Sequence, residues 1–285
     1  MLKPRVLYVL GYGRSGSTVL GMALGQHPGL VNLGEISTLP TFVPGPTYIA
    51  PRACGCALPL DQCPYWQGVA RRAGSLAALA RDGTSLSPSM GWRRYAPWLT
   101  EPGSELPRWA AAAAAMYAAT IAEAGAQMAV DTSKGAARAW WLWKSGAVDL
   151  QFVWLTRSLE GVIRSQIRHG NAALRTALSW RLAQRQAAQM ARVAERAGLR
   201  VPRITYERLV QDPQAVLGEV LAHVGLPWDD AVLTPRPAHT IGGEHEGKHG
   251  GRLSIGASNR TPAPLALPAR LTVRLFDRRP PEPVA

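Results

Sequence analysis

Residues 11–18 read Gly-Tyr-Gly-Arg-Ser-Gly-Ser-Thr, small residues and hydroxyls gathered around one cation. An apolar, β-branched run, Val6 to Leu10, leads into them, and an apolar helical pattern follows. A strand, a glycine turn and a helix N-terminus in that order leave the backbone N–H groups of Gly13 to Thr18 free to wrap an anion, and the helix dipole adds attraction for negative charge. The spacing Gly11-x4-Gly16-Ser17-Thr18 nearly matches the G-x-x-x-x-G-K-[ST] loop that cradles nucleoside triphosphates. Ser17 stands where that loop has its lysine, and the cation comes three residues earlier, at Arg14. A triphosphate with magnesium calls for the late lysine and a metal-holding hydroxyl. A phosphate or sulfate group bound without metal is served by an arginine within the loop together with hydroxyls and amides.

Further polar residues fall at the ends of apolar segments. Asp131-Thr132-Ser133-Lys134 follows a short strand pattern over 126–130, Arg157 follows the continuous apolar run 150–156, and Tyr206-Glu207 closes a run that begins at Val201. Helical patterns separate these runs, at 17–26, 66–81, 107–127 (with Ser104 as its cap), 135–144, 159–169, 172–197 and 209–224, the last broken near Asp212-Pro213. Strands alternating with helices predict an α/β fold, a P-loop-like parallel sheet flanked by helices. Ligands of such sheets bind at the carboxyl ends of the strands, where these polar residues lie. One domain is expected over 1–285, with an irregular lid insertion at 40–104 on the acceptor side and a loop-like C-terminal stretch and Pro-rich tail at 235–285.

Composition narrows the function. The 285 residues carry 32 Lys+Arg against 19 Asp+Glu, a formal charge of +13, and only Lys3, Lys134, Lys144 and Lys248 are lysine. Nucleic-acid binding favours a basic stripe interleaved with aromatics, and an acidic membrane surface favours a basic amphipathic helix. The basic residues here are scattered, with local groups near 164–185 and 270–279, which is enough to draw in a multiply charged small anion. Nucleic acid is not expected as a partner. The apolar runs fall short of the ~20 residues of a membrane helix, and the N-terminus lacks the pattern of a secretory signal. A cytoplasmic protein without stable membrane insertion is expected.

With these strand ends in place, the chain resembles the bacterial members of the sulfotransferases that use 3′-phosphoadenosine-5′-phosphosulfate (PAPS) as donor. Gly13-Arg14-Ser15-Gly16-Ser17-Thr18 is similar to that family's 5′-phosphosulfate loop, and Arg157 with Ser165 eight residues on is similar to its 3′-phosphate site. Arg157 projects from a strand end and Ser165 lies on the following helix, so both can converge on one phosphate. Thr205-Tyr206-Glu207-Arg208-Leu209-Val210-Gln211-Asp212-Pro213 resembles the family's [TR]-Y-E-[DR]-L-x-x-D-P segment and brings Tyr206 into the donor site. His27-Pro28-x5-Gly34-Glu35 resembles the tyrosylprotein and carbohydrate branch, in which the glutamate is the catalytic base, rather than the cytosolic steroid and phenol branch with its histidine.

The resemblance implies in-line transfer of a sulfuryl group to an acceptor hydroxyl on a small molecule, glycan or lipid. Glu35 would be the base, Arg14 and Lys134 would stabilise the reacting group, 3′-phosphoadenosine 5′-phosphate would be the product, and no metal would be required. The rival readings are a P-loop kinase and a nucleotide-binding module without sulfuryl transfer. The family's basic loop over the 3′-phosphate has no clean counterpart; Lys248 and Arg252 within 239–252 are the candidates.

Cys54, Cys56 and Cys63 fall within ten residues and read as a structural part of the lid. Zinc usually needs four ligands, and the nearest histidine in sequence is His27; His239, His245 and His249 form a further, glycine-spaced group. Trp66, Trp92, Trp98, Trp109, Trp140, Trp141 and Trp143 fall between the loop and Arg157. Core packing is their expected fate, with an aromatic acceptor pocket as the alternative.

Overall fold

Every side chain from Val6 to Leu10 is fully shielded from solvent, which places this segment at the centre of the molecule. In the computed structural model, which describes residues 2–41, 53–80, 106–236, 238–241 and 265–277, strand β1 (Arg5–Gly11) pairs in parallel with β3 (Met128–Lys134) on one side and β4 (Asp149–Thr156) on the other. Strand β2 (Leu30–Gly34) lies outside β3 and β5 (Arg203–Thr205) outside β4, so the order is β2-β3-β1-β4-β5. This is the expected α/β architecture. Alternation along β1 sends Val6, Tyr8 and Leu10 into one core layer and Leu7 and Val9 into the other. The first layer is filled from α4 (Leu106–Ala124), α5 (Ala136–Ser145) and α7 (Ala173–Arg196), including Met116, Tyr117 and Trp141. The second is filled from α1 (Ser17–Leu24) and α9 (Pro213–His223), including Leu20, Leu24, Val216 and Leu217. Helices on both faces explain the near-continuous apolar strands. Each large side chain fully buried there contributes about 1.5–3 kcal/mol.

Several elements depart from the sequence reading. β2 is absent from it, because this strand is five residues long and has Asn32 at its middle. Asn32 is buried nonetheless, and its Oδ1 accepts a hydrogen bond from the Gly34 N–H at 3.1 Å, while its Nδ2 has no partner among the described residues. β3 runs through Asp131 to Lys134 instead of ending at Asp131, with a register irregularity opposite Tyr8 and Leu10. The helix expected over 66–81 is two, α2 (Pro64–Ala73) and α3 (Leu76–Leu79), separated by Gly74 at φ 101° and restarted by Ser75, whose Oγ accepts from the Ala78 N–H. α6 (Leu159–Ile167) follows β4 as expected. Tyr206 does not end a strand but starts α8 (Tyr206–Gln211), which Thr205 caps through its Oγ1, and Asp212 caps α9 in turn. The C-terminal stretch is not wholly loop: α10 (Leu267–Phe276), with proline in its first turn, packs on α6 and α7. Ser104, Trp92, Trp98, His245, Lys248, His249 and Arg252 lie outside the described residues. Trp66, Trp109 and Trp141 are core residues, as expected, and Trp140 and Trp143 pack partly buried against the same layer. No helix among the described residues is long and apolar enough to cross a membrane.

One charged group is sealed inside this frame. Asp131 is fully buried, and its Oδ2 accepts the Tyr117 hydroxyl and lies 3.5 Å from the Arg138 Nε. Arg138 also donates to the Tyr117 hydroxyl at 3.0 Å. Burial pushes the Tyr117 hydroxyl well above the ordinary phenol range. Burial works against the Arg138 charge too, but Tyr117 and Asp131 outweigh it and hold the guanidinium above its usual value. Removing one partner of such a set strands the other charge. Arg138→Leu should therefore cost about 3–5 kcal/mol in denaturant titration, whereas Arg208→Ala, which loses only the exposed pair with Glu219, should cost at most about 1 kcal/mol. Equal effects would contradict a buried ion pair.

Candidate functional site

Gly11 ends β1, and the chain turns through Tyr12 to Gly16 before α1 begins at Ser17. Two residues of the turn have left-handed backbone, Arg14 at φ 67° and Gly16 at φ 94°. Gly16 suits that conformation, and a Cβ there would stand 2.4 Å from the Tyr206 ring. Arg14 bears the strain of a side chain in this region, the kind of outlier that gathers at ligand sites. No side chain caps α1, which leaves its first-turn amides for a ligand. Ser15 is fully buried and its Oγ has no hydrogen-bond partner among the described residues, while Ser17 is also buried. An orphaned hydroxyl beside uncapped helix amides fits an anion.

Arg157 leaves the end of β4 and closes this loop from the side. Its Nη1 donates to the Arg14 carbonyl at 3.0 Å, and its guanidinium stacks 4.1 Å from the Tyr206 ring centroid. Its Nε is shielded from solvent and has no partner among the described residues. Burial draws the guanidinium below its ordinary pKa, with Tyr206 and Glu207 opposing the shift; a bound anion would act in the same opposing sense. Glu207 accepts from the Ser158 N–H at 3.1 Å, tying α8 to the start of α6. Ser165 is buried on α6, one helix beyond Arg157.

On the other side of β1 stand Glu35 and Lys134, whose Nζ lies 2.6 Å from the Glu35 Oε1. Leu10 of β1 registers with Lys134, and Gly34 of β2 registers with Asp131, so the pair sits at the carboxyl edge beside the loop. The Lys134 Nζ also donates to the Thr132 carbonyl at 2.8 Å, and Lys134 is left-handed at φ 68°. Asp131 shapes this turn by accepting the Ser133 N–H at 2.8 Å. The Ser133 Oγ in turn accepts the Ser37 N–H at 3.1 Å, fixing the chain just after Glu35. Lys134 is the more enclosed member of the pair, with 11% of its side chain exposed against 35% for Glu35.

Across the sheet the order is therefore Glu35, Lys134, the loop, Arg157, Tyr206, one group or set from each of five neighbouring strand ends. The structure joins Arg14, Gly16, Arg157 and Tyr206 in one cluster and Glu35 with Lys134 in another. Asp131 stands out in the sequence only as part of its Asp-Thr-Ser-Lys string, without a role of its own. Gly161 gives no signal in the sequence, yet a Cβ there would stand 2.7 Å from the Arg157 Nε and 3.0 Å from the Ser158 Oγ. His27, far from being a metal ligand, accepts the Gly29 N–H at its Nδ1 and bonds the Pro227 carbonyl through Nε2. The expectation of no metal meets an arrangement the sequence did not assemble: the three thiols converge on His239.

No family profile and no curated protein matches the sequence. Solved structures do match. They include the sulfotransferase domain of the Synechococcus PCC 7002 olefin synthase, at 22% identity over 99% of this chain and 98% of that one, with a TM-score of 0.53. They also include the sulfotransferase domain from the curacin biosynthetic pathway, at 17% identity over 99% of this chain and all of that one, with a TM-score of 0.56. At these identities the likeness is one of fold.

The packing at Gly161 allows a test of the anion site. Gly161→Ala raises helix propensity by about 1 kcal/mol while crowding Arg157. The variant should stay folded by thermal melting yet bind inorganic pyrophosphate more weakly in calorimetric titration. Unchanged pyrophosphate affinity would remove Arg157 from the anion site.

Proposed function

We propose that this protein is a sulfotransferase that moves a sulfuryl group from PAPS to a hydroxyl of a small-molecule, glycan or lipid acceptor. The observation that carries this reading is the loop: a buried Ser15 hydroxyl without a partner among the described residues and an uncapped helix start, clamped by Arg157, with no lysine at the position a magnesium triphosphate needs. The fold shared with two sulfotransferase domains supports it.

PAPS carries a sulfuryl group on its 5′-phosphate and a second anion at the 3′ position. The amides of Gly13 to Thr18, the hydroxyls of Ser15, Ser17 and Thr18, and the Arg14 side chain hold the 5′ end. Arg157 holds the 3′-phosphate with Ser165, and Tyr206 keeps its guanidinium in plane. Recognition of that phosphate is what separates this donor from ATP. At the other side of the loop, Glu35 accepts the acceptor's proton as the acceptor oxygen bonds to sulfur and the bond from sulfur to the 5′-phosphate oxygen breaks. Charge grows on that departing oxygen, and Lys134, held between Glu35 and the Thr132 carbonyl, is the cation that meets it. The chemistry is then positioning plus electrostatics, as in phosphoryl transfer. A glutamate base on the segment after His27-Pro28 favours the tyrosylprotein and carbohydrate branch over the one with a histidine base.

The test is turnover with PAPS and a panel of hydroxyl acceptors, read by mass of the sulfated product and release of 3′-phosphoadenosine 5′-phosphate. Glu35→Ala should lower kcat by about 10²–10⁴-fold, the usual worth of a general base. Arg157→Ala should mainly weaken donor binding, by the ~1.5–3 kcal/mol of hydrogen bonds to a charged group, with the smaller effect on kcat. Wild-type turnover by Glu35→Ala would sink the base assignment, and magnesium-dependent phosphoryl transfer from ATP would return the chain to the kinases.

A further inference from the structure

Outside the sheet edge, four ligand-type side chains meet that nothing in sulfuryl transfer uses. The Sγ atoms of Cys54, Cys56 and Cys63 and a ring nitrogen of His239 all lie within 4.8 Å of one another. The Cys56 and Cys63 sulfurs are 3.7 Å apart, and the His239 Nδ1 stands 3.2 Å from the Cys63 sulfur and 3.9 Å from that of Cys54. Tetrahedral zinc, with bonds of ~2.3 Å to sulfur and ~2.0–2.1 Å to nitrogen, sets its ligand atoms roughly 3.5–3.8 Å apart. The observed spacings bracket that value. All three cysteines are free thiols, and an odd number cannot be consumed by pairing within the chain.

Local structure presents the ligands as a closed set. Cys54 and Cys56 flank a tight turn in which the Cys54 N–H bonds the Leu58 carbonyl and the Ala57 N–H bonds the Cys54 carbonyl. Cys63 is the N-cap of α2, which places its sulfur at the start of that helix. Tyr65 stacks on the His239 ring, 5.1 Å between centroids and 13° between planes, and fixes its orientation. Cys54 and Cys63 are buried, and four protein ligands leave no open coordination position, the mark of a structural site.

We propose that Cys54, Cys56, Cys63 and His239 bind a structural Zn²⁺, the thiols releasing their protons to solvent as the metal enters. The ion fastens the 53–63 segment to the chain at 239–241. That chain is built into the site edge: the Ile241 N–H bonds the Leu33 carbonyl, the Ile241 carbonyl accepts the Glu35 N–H at 2.6 Å, and the Gly55 N–H bonds the Thr240 carbonyl. Zinc thereby positions the backbone of Glu35, whatever the reaction there.

The full chain, purified without a metal-binding tag or added metal, should carry one zinc per molecule by elemental mass spectrometry. Cobalt exchanged into it should show the absorption of a tetrahedral, thiolate-ligated ion. His239→Ala should lose more than the roughly 10–100-fold in zinc affinity that an outer-shell change costs, and His239→Cys should retain the metal. Purified wild-type protein without stoichiometric zinc, whose three thiols react at once with a thiol reagent under native conditions, or whose cobalt spectrum is octahedral, would overturn the site. These readouts on the wild type decide the matter even if a variant fails to fold, and none depends on sulfuryl transfer.

Discussion

The buried carboxylate of Asp131 is the constraint on which the site edge rests. A charge with no access to water must find its partners inside the protein. Here the partners come from three directions: the Tyr117 hydroxyl on α4, Arg138 on α5 and the Ser133 N–H two residues on. The last of these bends β3 at its end, gives Lys134 its left-handed backbone and lets its ammonium turn back onto the Thr132 carbonyl and across to Glu35. Ser133 then catches the chain after Glu35. One desolvated acid in the core thus sets the place of a lysine and a glutamate at the surface of the sheet.

The loop after β1 follows the opposite logic. Where Asp131 is fully partnered, the Ser15 Oγ and the Arg157 Nε are buried without partners among the described residues. Natural interiors rarely leave such groups unmet, and Ser15 lies in the loop that leads into the α1 N-terminus, where positive potential is already concentrated. Strain at Arg14 and Lys134, two of three non-glycine residues with positive φ among the described residues, borders the same edge. The sheet makes one side of this site self-sufficient and leaves buried polar groups of the other side without partners among the described residues.

The strand–glycine loop–helix order after Val6 and the placing of Arg157 at a strand end depend on neighbours a few positions away, so they are legible in short strings. Tyr206 is read there as the end of a strand, because the Thr205 cap that makes it the start of α8 leaves no apolar signal. β2 was illegible because five residues with a buried asparagine show no apolar run. Lys134 was visible as a scarce lysine, but its ion pair with Glu35 joins residues from two different strand ends. The thiol group looked one ligand short because its histidine lies 176 positions from Cys63 and arrives only through the pairing of 241 with 34. Sequence shows which atoms a residue carries; partnership over such separations is a property of topology.

The central claim is that the loop and Arg157 together bind a nucleotide with phosphates at both the 5′ and 3′ positions. Its most direct test is calorimetric titration of the purified protein with 3′-phosphoadenosine 5′-phosphate, run beside ATP with magnesium and without any acceptor. The account predicts tight binding of the bisphosphate and weak or no binding of ATP–magnesium. Tight binding of ATP–magnesium with none of the bisphosphate would contradict it.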